Sequence, residues 1–370
     1  MKAIVFTEYG SPDVLQLKDV PKPVPKDNEI LVRVYATPVN YGDLTARNFA
    51  HLTSSQFNMP APLYLPARMA FGWNKPRINI LGSELAGEVE AVGRAATKFR
   101  PGDQVFAYVG MKMGANAEYI CLPETGTVAL KPANLTYEEA STLPYGAVIA
   151  SSLLKKVHLK PGQKVLINGA SGGIGSMVVQ LVKHFGAEVT GVCGTPRLEY
   201  VESLGADKVI DYTREDFIQN GETYDLIFDI LGRSSFPRAK HSLKPHGILL
   251  FASFKIKPLF QMLWTSITDG KKVICAMASE KADDLVFIKE LAEAGEIKTI
   301  IDKCYPLEQT AEAHRYVETG HKKGSVVITV EQGNKTKQRV AGNVAPLRSA
   351  TRLNPTVRRV CALAHQNPAV

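Results

Sequence analysis

No run of roughly 18 or more apolar residues occurs in this 370-residue chain, so it contains no candidate membrane-spanning helix. The opening stretch MKAIVFTEYGSPDV lacks the apolar core and small-residue cleavage site of a secretory signal, and it reads instead as a strand. Cysteine is sparse and scattered: Cys121, Cys193, Cys275, Cys304 and Cys361 show no paired spacing. These absences predict a cytoplasmic chain with reduced thiols. Metal ligands are scarcer still in the first part. Before Val157 the only cysteine is Cys121 and the only histidine is His51. Neither a three-ligand catalytic zinc site nor a four-cysteine structural one can be assembled from them. Acids are missing from the end. After Gly333 the charged residues are Lys335, Lys337, Arg339, Arg348, Arg352, Arg358 and Arg359. Taking these seven from the net charge of +8 leaves +1 for the rest. No aromatic residue sits among them to stack on a base, and they are spaced apart. Residues 333–370 are therefore predicted to be a solvated, disordered extension rather than a nucleic-acid or membrane contact.

What is present divides the chain in two, as its length suggests. Residues 1–125 hold short strand signals, KAIVF, EILVRVYATPVN, GEVEAVG, DQVFAYV and AEYICL, separated by Gly, Pro and Asp. The proline-rich interval from Ala50 to Pro76 breaks this pattern and reads as a long loop with one helical turn, the kind that walls a binding site. From Thr136, a candidate N-cap three residues before Glu139, the texture changes. Apolar strands now alternate with helical stretches, which implies βαβ units and a parallel sheet.

The first such strand, KVLIN, runs into GASGGIGS, Gly169 to Ser176, and then into an apolar helix. A glycine-rich turn at a helix start bares backbone N–H groups at the positive end of the helix, where an anion is favoured. The spacing departs from the G-x-G-x-x-G dinucleotide fingerprint, and the absence of a following G-K-[ST] excludes a P-loop. The second strand ends at Gly194-Thr195-Pro196-Arg197, with no acid before Glu199. An acid there would hold an NAD ribose, whereas Thr195 and Arg197 suit a 2′-phosphate, which predicts NADP(H). The alternative makes Arg197 a solvated residue of the next helix.

Several separate motifs resemble the medium-chain dehydrogenase/reductase superfamily. They are KAIVFTEYGSPDVLQL, VNYGD, LGSELAGEVEAVG, FRPGDQVFAY, LKPGQKVLINGASGGIG and SLGADKVIDY. The wording is closest to its zinc-free quinone oxidoreductase, or zeta-crystallin-like, branch. The resemblance implies an α/β fold: a GroES-like β domain over 1–125, a Rossmann doubly wound parallel-sheet domain over 126–299, and residues 300–331 returning to the first. Zinc-dependent members carry Cys where this chain has Asn40 and His where it has Ser83, so no metal is expected, and Asp43 and Glu84 read as structural. The branch implies metal-free hydride transfer from NADPH to a quinone or an α,β-unsaturated carbonyl. Two alternatives stand: a metal-free alcohol or aldehyde dehydrogenase, and an NADPH-binding structural or interaction protein.

By the same resemblance Asn40 lies beside the nicotinamide. Tyr41 and Tyr145 are candidates to line the pocket or donate a proton, or are core aromatics. Ser171, Gly172, Gly173 and Ile174 are implied at the pyrophosphate and Tyr212 near the 2′-phosphate. Leu231 and Gly232 follow the fourth strand, and Ala252, Ser253 and Phe254 follow the fifth. Lys323 is a further phosphate candidate. Ile149 stands where relatives place a nicotinamide-contacting Thr. Many relatives are homodimers joined through sheet edges, and KKVICAMAS is a candidate edge.

Overall fold

A computed structural model describes residues 1–331 other than 55, 58 and 269. The disorder predicted for 333–370 lies outside the described residues. The first unit comprises β1 (Lys2–Val5), β2 (Gln16–Asp19), β3 (Glu29–Pro38), α1 (Tyr41–Arg47), α2 (Tyr64–Phe71), β4 (Glu84–Val92), β5 (Gln104–Tyr108), β6 (Tyr119–Pro123) and β7 (Val128–Leu130). The second comprises α3 (Tyr137–Ser141), α4 (Pro144–Leu154), β8 (Lys164–Asn168), α5 (Gly173–His184), β9 (Glu188–Cys193), α6 (Leu198–Ser203), β10 (Lys208–Asp211), β11 (Tyr224–Asp229), α7 (Phe236–Ala239), β12 (Leu243–Phe251), α8 (Ile256–Ser266), β13 (Lys272–Cys275) and α9 (Ala282–Glu293). The described chain closes with β14 (Ile301–Pro306), α10 (Thr310–Glu318) and β15 (Ser325–Thr329).

Short alternating strands with one buried face make the first sheet. Its order is β14-β15-β3-β4-β5-β7, with β6 also paired to β3. β15 lies antiparallel to β3 and parallel to β14, so the end of the described chain completes the sheet begun at its start. The second sheet has six strands in the order β10-β9-β8-β11-β12-β13, all parallel. Its strands are continuous apolar runs because helices cover both faces. The order reverses between β8 and β11. In doubly wound sheets that crevice, at the carboxyl ends of the strands, is where ligands bind.

The 50–76 interval holds more structure than one turn. Pro66 sits in the first turn of α2, where the backbone N–H groups lack helical partners anyway, so the proline does not break the helix. Phe71 stacks on Phe49 at 4.6 Å, seating α2 on α1's side of the core. The thiols also depart from expectation. Cys121, Cys193 and Cys275 are unpaired, but Cys304 is disulfide-bonded, a pairing that sequence spacing does not signal.

A buried polar contact ties α10 to α1. Arg47, 2% exposed, donates through Nε to the Gly10 carbonyl at 3.0 Å and through Nη1 to His314 Nδ1 at 3.0 Å, and pairs with Glu318. Burial, and then the Arg47 charge, push His314 down to about 3. An unfolded histidine titrates near ~6.5, so the neutral ring's contribution is complete above that pH and is lost as pH falls toward 3. We expect stability to fall by up to about 1.4 kcal/mol per pH unit in this window from His314 alone. In urea titrations, His314→Asn should be the less stable at neutral pH, with the gap narrowing as the pH drops; a constant gap would refute the assignment.

Candidate active site

The glycine-rich loop follows β8 and feeds α5, at the point where strand order reverses. Gly169 adopts φ +95°, a conformation that side chains disfavour. Gly175 is required by close approach: a Cβ there would lie 2.1 Å from the Gly169 carbonyl oxygen and 2.8 Å from Ala170. Gly172 and Gly173 are exposed at the helix start. A Cβ on Gly172 would meet only the Gly169 oxygen at 3.5 Å, and one on Gly173 only the Tyr145 ring at 3.5 Å. The loop is therefore an open cradle, with half-buried Ser171 and Ile174 beside it, and amides at a helix start are groups that suit a diphosphate.

Across the crevice, Asp229 at the end of β11 is 0% exposed. Its carboxylate accepts from Leu231 N at 3.0 Å, Gly232 N at 3.1 Å, Ser234 N at 2.5 Å and Asn168 Nδ2 at 3.1 Å. It shapes the 231–234 loop and ties it to β8. Asp229 received no role in the sequence reading, although an acid closing a buried strand is itself a signal. Leu231 projects back onto Gly169, at 3.1 Å from the position of its Cβ. Ala252 and Ser253 are half-buried at the end of β12 and Phe254 is buried beneath them.

Past the end of β9 Thr195 donates to Asp211, whose carboxylate also accepts from Thr213 N at 3.0 Å and Oγ1 at 2.8 Å. The Thr195 bond first, then those from Thr213, hold Asp211 below the usual carboxylate range. This acid comes from the neighbouring strand, sixteen residues on, and it takes the Thr195 hydroxyl proton expected for a 2′-phosphate, so of the two residues at the end of β9 only Arg197 stays available to a phosphate. Tyr212, 62% exposed, lies against Gly194, with its hydroxyl 3.4 Å from where a Cβ would sit. Arg197 Nε donates to the Lys322 carbonyl at 3.3 Å. Burial and then the Arg197 charge push the Lys322 ammonium below its ordinary range, and its Nζ meets the Gly324 carbonyl at 3.2 Å. Lys323 is exposed and uses its backbone N on Asp302, so the return segment brings Lys322, not Lys323, beside Arg197.

At the other end of the cleft, α1 begins at Asn40 with a capping box: Asp43 Oδ2 accepts from Asn40 N at 2.8 Å. The other Asp43 oxygen accepts from Gly82 N at 2.9 Å. Asn40 Nδ2 donates to Glu84 Oε1 at 2.7 Å and Ser83 Oγ at 3.2 Å. The second Glu84 oxygen accepts from Tyr145 N, in the first turn of α4, at 2.6 Å. Glu84 thus joins the two units through one carboxylate. Its burial pushes it up to about 8 against the Asn40 and Tyr145 bonds, and burial holds Asp43 at about 6. The Tyr145 ring spans from Tyr108, at 6.0 Å between centroids, to Gly173 of the cradle. Burial raises its hydroxyl well above the ordinary tyrosine range, so it stays protonated. Tyr41 is 62% exposed at the start of α1. Ile149 packs with the apolar core that joins α4 to α5 and β8.

A zinc ion finds no fitting donors here. Asn40 and Ser83 stand at the ligand positions, Asp43 and Glu84 spend their oxygens on N–H groups, and no group of three or more His, Cys, Asp or Glu side chains gathers among the described residues.

Fold and site together define a nicotinamide-dependent oxidoreductase with a GroES-like unit and a Rossmann unit. Residues 26–132 match the alcohol dehydrogenase GroES-like domain, and residues 204–328 match the zinc-binding dehydrogenase model. The NADPH-dependent alkenal/one oxidoreductase of Arabidopsis thaliana chloroplasts is 30% identical over 89% of this chain and 79% of its own length. A chloroplastic quinone oxidoreductase of Triphysaria versicolor is 30% identical over 89% and 98%. The quinone oxidoreductase structure from Coxiella burnetii superposes with a TM-score of 0.76 at 25% identity, covering 90% of this chain and 99% of that one. The chain belongs to the medium-chain dehydrogenase/reductase superfamily, in its quinone oxidoreductase branch.

Proposed function

We propose that this protein reduces a quinone or an α,β-unsaturated carbonyl with NADPH and without a metal ion. The observation that carries this reading is the Glu84–Asn40–Tyr145 arrangement: an amide and a protonated phenol, rather than metal ligands, stand next to the dinucleotide cradle. When bound, NADPH supplies the hydride. The residues of the chain do the rest. The cradle amides at Gly172 and Gly173 hold the diphosphate, and Arg197 and Lys322 present cations to the 2′-phosphate. Glu84 fixes the Asn40 amide, and the Tyr145 hydroxyl offers a proton to the oxygen on which negative charge develops. The names of the relatives support the substrate class and NADPH. Homodimer formation is part of the proposal, with β13, the last strand of its sheet, as the joining edge.

The test is NADPH oxidation against a panel of quinones, alkenals and simple aldehydes, with and without a chelator. Turnover confined to the first two classes and indifferent to chelation is expected; turnover of aldehydes alone, or its loss on chelation, would overturn the proposal. For the cofactor, Arg197→Glu should raise the KM for NADPH at least about tenfold and leave that for NADH within about twofold, since only a 2′-phosphate meets the reversed charge. Equal effects on both cofactors would remove Arg197 from the phosphate site.

A further inference from the structure

Helix α8 is apolar on two sides. Leu259 and Met262 turn inward against the core, and Thr265, 2% exposed, accepts from Val273 N of β13 at 3.0 Å. On the opposite arc Ile256, Phe260, Leu263, Trp264 and the C-cap residue Ile267 are 46%, 65%, 62%, 63% and 83% exposed. A helix needs only its inward stripe to hold a sheet. A contiguous second stripe of large side chains marks a surface built to be covered.

The charge around this arc selects the partner. Residues 230–268 contain no Asp or Glu and six Lys or Arg. Arg238 and Lys244 are neutralised by Asp216 at 2.7 Å and Asp225 at 2.6 Å. Lys255 and Lys257 flank the start of α8, and Lys271, whose Nζ donates to the Lys240 carbonyl at 2.5 Å, lies with Lys240 near its end. We propose that the α8 arc docks on an anionic lipid bilayer. Phe260, Leu263 and Trp264 enter the boundary between headgroups and acyl chains, and the lysines face lipid phosphates. A second copy seated on the arc would oppose these lysines to their own counterparts, which like charge disfavours. With 11 residues the helix lies along the surface and does not span it.

The test uses the full chain and vesicles of phosphatidylcholine, with or without phosphatidylserine. Cosedimentation is expected only with phosphatidylserine. The chain has two tryptophans, Trp73 and Trp264, so in a Trp73→Phe background the emission of Trp264 should shift to the blue when vesicles are added. Phe260→Ser with Trp264→Ser should weaken partitioning at least about a hundredfold while leaving NADPH affinity and melting temperature unchanged. Undiminished binding by the double variant would overturn the proposal. Conversion of a dimer to a monomer by the same double substitution would overturn it in favour of a second copy on the arc.

Discussion

Gly175→Ala is expected to weaken NADPH binding at least about a hundredfold and to lower the stability of the fold by about 1–3 kcal/mol. The added methyl would lie 2.1 Å from the Gly169 oxygen and 2.8 Å from Ala170. All of these are backbone neighbours, so no side chain can swing away. Relief requires the start of α5 to move off the loop, and that displaces the amides that grip the diphosphate. Gly172→Ala provides the contrast. Its Cβ meets the Gly169 oxygen only at 3.5 Å, so the fold should accept it at a cost of about 0.5–1 kcal/mol, alanine being the poorer N-cap. The same methyl stands on the open side of the cradle, so binding should fall by more than the small drop in melting temperature accounts for. Calorimetric titration with NADPH and thermal melts on both variants check this pair; unimpaired binding by Gly175→Ala would remove the cradle from cofactor recognition.

The second large effect falls on Glu84. Glu84→Leu leaves two buried donors, Asn40 Nδ2 and Tyr145 N, without their acceptor. Leaving a buried donor without its acceptor costs about 1–3 kcal/mol, so we expect kcat with the organic acceptor to fall roughly ten- to a hundredfold. The Kd for NADPH should change by less than about threefold, because neither the cradle amides nor Arg197 bonds to Glu84. Glu84→Gln should not rescue it. A carboxamide has one acceptor oxygen for two donors, and its NH2 would face an N–H. Stopped-flow reduction separates the two readings: a loss in NADPH affinity equal to the loss in rate would make Glu84 a general prop of the fold and not the group that aims Asn40.

Much of this architecture is legible in the sequence for physical reasons. The Rossmann unit announces itself because fully buried parallel strands are short unbroken apolar runs, and because a turn that must admit a phosphate has to be made of small residues. The parts that escape depend on contacts between segments. Asp211 lies beside Thr195 only because β10 pairs with β9, so a reading confined to the end of β9 finds no acid. Lys322 and Lys323 are adjacent, and only the course of the return segment determines which one meets Arg197. Helix α2 hides behind Pro66, which reads as a breaker until its place in the first turn is known. Glu84 reads as structural, which is half of its role: the bond to Tyr145 belongs to another unit and has no local trace. The α8 arc is hidden for the opposite reason. Its outer and inner faces are both apolar, so the stripe that points to solvent looks like ordinary core.

The place of β15 between β14 and β3 has a consequence for biosynthesis. As the polypeptide leaves the ribosome, β3 emerges long before its neighbour β15 exists, and one flank of its sheet waits unzipped while some 280 residues are translated. The cofactor-gripping unit, whose six strands are contiguous in the message, can close first. The first unit, begun earlier, is sealed only once β15 has been made, so nascent chains stalled before Ser325 should depend on chaperones that shield an open strand.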